Sequence, residues 1–237
     1  MSAKGLFITA TDTGVGKTLV AAALCLYLRG RGIDVGVMKP AETGVADPQQ
    51  LGSDGTLLQW AAQSQDDPDQ ICPYRLREPL APSVAASKEQ VRIDYSELVK
   101  QGRDMLRRHR FTIFEGAGGL MVPLAGGFLM ADLARDLGVP LLVVTRPNLG
   151  TINHTMLTLF SARTMELPIA GYLINQMPAI AGPAEESAPH SLASLTTEDL
   201  LGVLPQIQDG SDRDKAQRLA SQIPKLPTFP LLKRYLD

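Results

Sequence analysis

The segment Thr11-Asp12-Thr13-Gly14-Val15-Gly16-Lys17-Thr18 decides the fold of this 237-residue chain. A short apolar run, Leu6 to Thr9, precedes it, and a longer segment with helical periodicity, Lys17 to Arg29, follows it. Glycines inside the segment allow the tight backbone turn that joins a strand to a helix. The sequence therefore predicts a strand–loop–helix unit at the start of the chain.

The same alternation of short apolar runs and longer helical segments continues along the chain. The predicted strands are Leu6 to Thr9, Val35 to Lys39, Phe111 to Glu115, Pro140 to Thr145, Ile169 to Asn175 and Leu201 to Leu204. The predicted helices are Lys17 to Arg29, Asp54 to Ala62, Ser96 to Arg108, Ala131 to Leu137, Ile152 to Met165 and Arg213 to Gln222. This pattern is typical of βαβ units. We expect one α/β domain over residues 1–237, with a mostly parallel central sheet and helices on both faces.

Two stretches lack a clear pattern. The proline-rich stretch Asp66 to Ser87 is predicted to be a long loop that folds over the site, because prolines remove backbone donors. Pro178 to Leu195, rich in Ala, Pro, Ser and Glu, is predicted to be a mobile surface loop.

Composition excludes several classes of protein. The chain has 23 basic and 25 acidic residues and a net charge of −2, so we expect no nucleic-acid partner. Its only cysteines, Cys25 and Cys72, do not make a disulfide framework, which favours a reducing, cytoplasmic location. We expect no membrane partner, because no apolar run approaches the roughly 18 residues of a span, and the N-terminus does not resemble a signal peptide.

The opening segment fits the phosphate-binding loop of P-loop NTPases, except that Thr11 stands where the first glycine usually lies. Successive backbone N–H groups and the helix N-terminus form an anion-binding concavity in such loops. In this pattern Lys17 reaches the β- and γ-phosphates, and the Thr18 hydroxyl binds Mg²⁺. The segment therefore predicts nucleotide binding.

Two carboxylates are candidate metal ligands, because Mg²⁺ prefers oxygen donors. Glu115 ends a predicted strand, and the Gly116-Ala117-Gly118-Gly119 stretch after it lets the backbone approach phosphate closely. Asp54 could be a metal ligand or simply the N-cap of the second helix.

Lys39 ends the second predicted strand. It could be a solvated strand terminus, or a cation directed at a transferring phosphoryl group.

Seven motifs occur in an order that a known family shares. They are the phosphate loop with Asp12-Thr13 before Gly14–Thr18, then Lys39-Pro40 with Thr43-Gly44, Ser53-Asp54, Glu115-Gly116-Ala117-Gly118-Gly119, Leu149-Gly150-Thr151-Ile152-Asn153-His154, Asn175, and Gly202-Val203-Leu204-Pro205. On these motifs the chain resembles the dethiobiotin synthetases from its first strand to about Pro205. That family uses ATP to close a ureido ring from 7,8-diaminopelargonic acid and CO₂ in biotin synthesis.

The resemblance implies roles for individual residues. It makes Thr18, Asp54 and Glu115 ligands of Mg²⁺. It also assigns the ATP phosphates to Lys17 and to the amides of the loop and glycine-rich segments, at Thr13, Gly14, Val15, Gly16, Gly116, Ala117 and Gly118. Lys39 would stabilise negative charge on the substrate carbamate and on the phosphoryl group, with Thr43 and Thr13 in the same region. Asn175 and the segment near Pro205 would recognise adenine.

The resemblance also implies a homodimer with its active site at the subunit interface. In the family, backbone amides of the helix start Gly150-Thr151-Ile152-Asn153 bind the diaminopelargonate carboxylate in the site of the other subunit. A helix N-terminus suits a carboxylate. The chain departs from the family at Gly14, where an acidic residue is common, and Asp209 is only a candidate for the family's acidic ribose contact.

Two other classes of protein share the predicted fold. Partitioning-type regulatory ATPases carry a second lysine early in the phosphate loop, where this chain has Thr11-Asp12-Thr13-Gly14. Other ATP-dependent amide ligases normally include a glutaminase module, for which 237 residues leave no room.

Overall fold

The computed structural model describes residues 4–237. Its strands are β1 (Gly5–Ala10), β2 (Val35–Met38), β3 (Ala41–Thr43), β4 (Tyr74–Leu76), β5 (Phe111–Glu115), β6 (Pro123–Ala125), β7 (Phe128–Leu129), β8 (Leu141–Thr145), β9 (Ile169–Met177) and β10 (Leu200–Pro205). Its α-helices are α1 (Lys17–Gly30), α2 (Ser53–Ala62), α3 (Pro68–Ile71), α4 (Pro82–Lys88), α5 (Tyr95–Arg108), α6 (Met130–Leu137), α7 (Thr151–Thr164), α8 (Pro183–Leu195), α9 (Asp212–Gln222) and α10 (Phe229–Lys233), and a 3₁₀ turn covers Ile223–Lys225. None of the described helices is long and apolar enough to cross a membrane.

Six strands form the central sheet in the order β10-β9-β8-β1-β5-β2, and every neighbouring pair is parallel. The predicted α/β fold is thus confirmed, and its six predicted strands all belong to this sheet. Two smaller sheets accompany it: β3 pairs with β4 in parallel, and β6 with β7 antiparallel.

Alternating side chains of β1 show why helices cover both faces of the sheet. Leu6 and Ile8 pack into the core beneath α1, α2 and α9, whereas Phe7 belongs to the core beneath α5 and α6. Successive side chains of a strand point to opposite faces. A strand that is buried on both faces therefore reads as an unbroken apolar run, which is how the first strand appears in the sequence.

The stretch Asp66 to Ser87 is not the long loop that the sequence predicts. It contains α3, β4 and all of α4 except its last residue. Pro68 and Pro82 each stand in the first turn of a helix, where a missing backbone donor costs nothing. The stretch does not line the phosphate-loop cavity; instead β4 pairs with β3, which does.

The prediction of a surface loop at Pro178 to Leu195 is also wrong, because Pro183–Leu195 is helix α8. Pro183 occupies its first turn, and the Glu185 carboxylate accepts a hydrogen bond from the Gly182 N–H at 3.1 Å. Ala188 and Leu192 are buried. Burial of this apolar side outweighs the one backbone donor that Pro189 lacks inside the helix.

The loops that carry the predicted site lie along one edge of the sheet. Because all six strands run in the same direction, their C-terminal ends meet at that edge, where open α/β sheets bind ligands. β1 lies between β8 and β5, and β2 lies beyond β5. The phosphate loop, Lys39 and Glu115 therefore follow strands that are neighbours in space.

Candidate active site

Two residues of β9 hold the phosphate loop in shape. The Asn175 amide donates to the Val15 carbonyl at 2.9 Å, and the Gln176 amide donates to the Gly14 carbonyl at 3.1 Å. Gly14 and Gly16 have φ values of 71° and 87°, which favour glycine. A Cβ on Gly16 would also overlap the Asn175 side chain. The loop conformation thus depends on β9 as well as on its own glycines.

The loop lysine, Lys17, is buried at the start of α1. Its ammonium lies 3.5 Å from the Asp12 carbonyl oxygen and faces the cavity below the loop. Burial lowers the pKa of Lys17, although the negative charge of Glu115 partly offsets this effect. A cation that is poorly solvated in the free protein is prepared to bind an anion.

Lys39 forms a buried ion-pair centre with Asp54 and Glu115. Its Nζ lies 2.7 Å from Asp54 Oδ2 and 2.6 Å from Glu115 Oε1. The Thr18 hydroxyl donates to the same Glu115 oxygen at 2.8 Å. The interpretation of Lys39 as a solvated strand terminus is wrong, because its side chain is only 4 % exposed. Asp54 lies in the first turn of α2 but does not cap it, since the N-cap position belongs to Gly52.

The charged groups of this centre shift one another's pKa values. Burial alone would lower the pKa of Lys39, but the carboxylates of Glu115 and Asp54 outweigh it and raise that pKa. Burial would raise the pKa of Asp54, yet the Lys39 ammonium holds it below its ordinary value. Burial raises the pKa of Glu115, and Lys39 only partly opposes this rise. The centre therefore favours a protonated Lys39 between the side chains of Asp54 and Glu115.

A cavity of about 490 Å³ brings most of the predicted phosphate and metal site together. The predicted site residues that line it are Thr13, Gly14, Gly16, Lys17, Thr18, Lys39, Thr43, Asp54, Glu115, Ala117 and Gly118. Val15, also in the loop, is buried and does not line this cavity. Gly116 donates its N–H to the Ile8 carbonyl at 3.0 Å, which ties the glycine-rich segment to β1.

A neighbouring cavity of about 460 Å³ contains Asn175 and Pro205. Leu19 and Gln176 line both cavities, so the two are adjacent. Asp209 lines neither of them, whereas Asp212 lines the phosphate-loop cavity. Asp212 carries no signal in the sequence that would single it out.

The structure does not bring Gly150–Asn153 to either cavity of their own chain. Gly150 has a φ of 96° and precedes the first turn of α7. The Thr151 hydroxyl lies 2.9 Å from the Thr145 hydroxyl, which also accepts from Thr11 at 3.1 Å and from Thr155 at 3.0 Å. Thr11, the residue in place of the usual glycine, thus connects the phosphate loop to the start of α7.

Two further residues of the site lack a simple sequence signal. Arg146 donates to the Asp12 carboxylate at 3.0 Å, so it links the end of β8 to the phosphate loop. Glu42 is a buried carboxylate beside Thr43 that lines the phosphate-loop cavity. Its only sequence signal is its place between two recognised motifs, Lys39-Pro40 and Thr43-Gly44.

Comparison with known proteins decides the family. A family model described as "AAA domain" matches residues 4–213. The ATP-dependent dethiobiotin synthetase of Thermodesulfovibrio yellowstonii is 40% identical over 215 residues, which cover 86% of this chain and 90% of that protein. This chain belongs to the dethiobiotin synthetase family. The synthetase of the same name from Anaeromyxobacter dehalogenans is 41% identical over 215 residues, covering 90% and 95% of the two chains.

Solved structures show how widely the synthetase fold is shared. A ParA family ATPase from Chlorobium tepidum matches with a TM-score of 0.58 and 15% identity, covering 100% of this chain and 99% of that one. At this identity the likeness concerns the fold alone. The resemblance drawn from the seven motifs is confirmed by the synthetases at about 40% identity, and the partitioning-type alternative has only the shared fold in its favour.

Proposed function

We propose that this protein is an ATP-dependent dethiobiotin synthetase, a cyclo-ligase that converts 7,8-diaminopelargonate, CO₂ and ATP into dethiobiotin, ADP and phosphate for biotin synthesis. Membership of the synthetase family supports this activity. The structural observation that carries it is the Lys39 ammonium, held by Asp54 and Glu115 in the cavity of the phosphate loop. That placement suits an anionic substrate next to a phosphoryl group.

The oxygen donors of this cavity fit Mg²⁺. Glu115 Oε2 is buried and has no hydrogen-bond partner among residues 4–237, and the Thr18 hydroxyl and the Asp54 carboxylate lie beside the same centre. Mg²⁺ prefers such oxygen ligands and retains several waters. We therefore assign Thr18, Asp54 and Glu115 to the metal. When bound, Mg²⁺ neutralises charge on the β- and γ-phosphates.

The chain itself contributes charge and positioning to the reaction. The loop amides at Thr13–Thr18 and the N-terminus of α1 bind the phosphates, and Lys17 adds a positive charge beneath them. Lys39 stays protonated, because Glu115 and Asp54 raise its pKa. Its ammonium stabilises the carbamate oxygen and the phosphoryl group that this oxygen attacks, and Thr43 and Thr13 lie in the same cavity.

The proposed reaction needs no protein nucleophile. One amine of the substrate adds to CO₂ and loses a proton, which gives a carbamate. The carbamate oxygen attacks the γ-phosphorus and ADP leaves, which gives a carbamic–phosphoric anhydride. The second amine then attacks the anhydride carbon, phosphate leaves with the carbamate oxygen, and the ring closes. Both cysteines of the chain are buried and their pKa values are raised by that burial, so neither thiol suits nucleophilic catalysis.

We assign adenine to the cavity that contains Asn175 and Pro205, beside the phosphate loop. The Asn175 Nδ2 already donates to the Val15 carbonyl. Its side-chain oxygen is then the group that would accept from the adenine amine. One residue thus connects base recognition to the shape of the phosphate loop.

A homodimer completes the proposed site. Leu149, Leu157 and Phe160 on and before α7 are 90%, 56% and 65% exposed, an apolar surface suited to a second copy. The helix start Gly150–Asn153 lines neither the phosphate-loop cavity nor the cavity of Asn175 and Pro205, so we assign its amides to the substrate carboxylate in the partner's site. We place the enzyme in the cytoplasm, where the two free cysteines would stay reduced.

A product assay tests this function directly. Purified protein is incubated with MgATP, diaminopelargonate and ¹⁸O- and ¹⁴C-labelled bicarbonate. We expect acid-stable ¹⁴C in a cyclic urea, one ADP per ring, and ¹⁸O in the released phosphate, because the carbamate oxygen leaves with it. ATP hydrolysis that continues without diaminopelargonate and leaves no label in a ring would refute the proposal.

A further inference from the structure

Helix α2, which carries Asp54, begins without a capping side chain of its own. Its N-cap residue is Gly52, with φ −70° and ψ −173°, an extended conformation that any residue can adopt. The first N–H groups of a helix have no partner inside the helix. Side chains such as Ser or Asp at the N-cap usually accept from the second or third of them. In α2 those donors belong to Asp54 and Gly55.

Glu42, from the separate strand β3, supplies the missing acceptors. Its Oε1 accepts from the Asp54 N–H at 2.8 Å and its Oε2 from the Gly55 N–H at 3.0 Å. The residue is 5% exposed, so these are charge-assisted hydrogen bonds in a site with little water. A negative charge at a helix N-terminus is also favoured by the helix dipole.

The space beside Gly52 cannot hold both a capping side chain at position 52 and the capping carboxylate of Glu42. A Cβ on Gly52 would overlap the Glu42 carboxylate. Glu42 therefore occupies the place in which an N-cap side chain of α2 would lie. The glycine is needed for the approach of this carboxylate, since its backbone conformation does not require glycine.

We propose that Glu42 is a positioning residue for Asp54 in the metal and phosphoryl-transfer site, an inference that rests on the proposed function. Its two hydrogen bonds fix the first turn of α2, and that turn places the Asp54 carboxylate 2.7 Å from Lys39 Nζ. Hydrogen-bond partners of metal ligands set the ligands' orientation, and their loss commonly costs about 10–100-fold in affinity or activity.

The first experiment compares Glu42→Ala with Asp94→Ala. Asp94 caps α5 through the Glu97 N–H at 3.1 Å and lies outside the phosphate-loop cavity, so Asp94→Ala is a matched loss of a helix cap. We expect Glu42→Ala to reduce both kcat and the Mg²⁺-dependent gain in ATP affinity by at least about ten-fold. Asp94→Ala should lower the melting temperature and leave both quantities unchanged.

The second experiment restores the cap from within the helix. Gly52→Asp alone should destabilise the protein, because its side chain overlaps Glu42. In Glu42→Ala/Gly52→Asp the space is free, and we expect the aspartate to recover the melting temperature and most of the Mg²⁺-dependent ATP affinity. The same substitution thus has opposite effects in the two backgrounds.

A double-mutant cycle with Asp54→Ala tests the role of Glu42 without relying on the cap restored by Gly52→Asp. If Glu42 acts through Asp54, Glu42→Ala has no further effect on Mg²⁺-dependent ATP affinity once Asp54 is replaced. Additive losses in this cycle, or equal losses in Asp94→Ala, would overturn the proposal. These binding measurements do not need product formation, so they remain decisive even if the parent chain makes no dethiobiotin and the proposed function fails.

Discussion

The Lys39 ammonium lies 2.6 Å from the Glu115 carboxylate, although the two residues are 76 positions apart in the chain. Both side chains are almost completely buried. They meet because β2 and β5 are adjacent parallel strands: Lys39 directly follows β2, and Glu115 is the last residue of β5. Asp54 approaches the same ammonium from α2. One ammonium therefore pairs with two carboxyl groups in the cavity of the phosphate loop.

Replacement of the two lysines should separate their roles. We expect Lys39→Ala to reduce kcat at least about a thousand-fold while changing ATP affinity by less than about five-fold, because its charge acts on groups that develop during transfer. Lys17→Ala should damage both quantities, since this lysine lies under the phosphates. Steady-state kinetics and calorimetric titration with MgATP measure the two effects. Equal losses of ATP affinity in both variants would contradict the separate role of Lys39.

Removal of the Lys39 charge should lower the free energy of unfolding, and this loss should become smaller as the pH falls. Lys39→Met leaves Glu115 buried without its cation, which costs about 3–5 kcal/mol when the carboxylate is charged. Burial raises the pKa of Glu115 and Lys39 partly opposes this rise, so the folded variant binds the Glu115 proton more tightly than the folded parent does. The stability gap between variant and parent should therefore narrow as the pH falls towards the ordinary glutamate value of 4.5.

Urea unfolding of both proteins at a series of pH values measures this gap. Lys39→Met/Glu115→Gln is the control, because it removes the buried charge together with its partner. We expect the gap between this double variant and the parent to vary much less with pH. A gap in Lys39→Met that widens on acidification would contradict the assignment to Glu115.

Local sequence was sufficient to predict the phosphate loop and the strands around it. The phosphate loop spans eight residues. Within it the tight backbone turn requires Gly14 and Gly16, and phosphate binding requires Lys17. The exact partners of Lys39 could not be predicted in this way. They depend on which strands are neighbours and on the entry of α2 beside them, and such tertiary relationships have no fixed spacing in the sequence. The family resemblance, not the spacing, assigned Asp54 and Glu115 to Mg²⁺ and Lys39 to the carbamate and the phosphoryl group.

Asn175 should affect phosphate binding as well as base binding. Because its amide holds the Val15 carbonyl at 2.9 Å, Asn175→Ala removes a support of the phosphate loop. We expect the affinity for inorganic tripolyphosphate to fall about ten-fold for one lost buried hydrogen bond, and the affinity for ATP to fall further because its base contact is lost as well. Competition titrations with both ligands measure this. A loss confined to ATP would show that Asn175 acts on the base alone.

The errors of the sequence interpretation have a common physical origin. Composition suggested loops at Asp66 to Ser87 and Pro178 to Leu195, because proline is unfavourable inside regular structure. Pro68, Pro82 and Pro183 stand instead in the first turns of helices, where the constraint is harmless. The formation of these helices depends on long-range packing, for example on the burial of Leu192 in α8, which composition does not reveal.

The apolar surface of α7 should control the oligomeric state. Phe160 is 65% exposed and lies far from the helix start that is assigned to the substrate carboxylate. We expect Phe160→Glu to shift a dimer towards monomer in sedimentation and to lower kcat/KM for diaminopelargonate more than ATP affinity. His190→Glu, on α8, is the surface control. A parent chain that sediments as a monomer at assay concentration would exclude the shared site.

The buried hydroxyl cluster around Thr145 should contribute to stability through its hydrogen bonds. Thr145→Val keeps the shape of the side chain but leaves the Thr11, Thr151 and Thr155 hydroxyls without their shared partner. We expect a loss of about 1–3 kcal/mol in the free energy of unfolding. Thr112→Val, on β5, is a matched control, since the Thr112 hydroxyl is buried and has no hydrogen-bond partner in the part of the chain that the structure describes.

Thr112→Val should leave the free energy of unfolding unchanged or increase it, because it removes a buried hydroxyl that makes no compensating hydrogen bond to the described residues. Chemical denaturation of both variants compares the same methyl-for-hydroxyl exchange in two environments. Thr145→Val should also weaken ATP binding, because Thr11 belongs to the phosphate loop and loses its side-chain hydrogen bond to the end of β8. Equal stability of the two variants would mean that the hydrogen bonds of the Thr145 cluster contribute no more than an unpaired hydroxyl does.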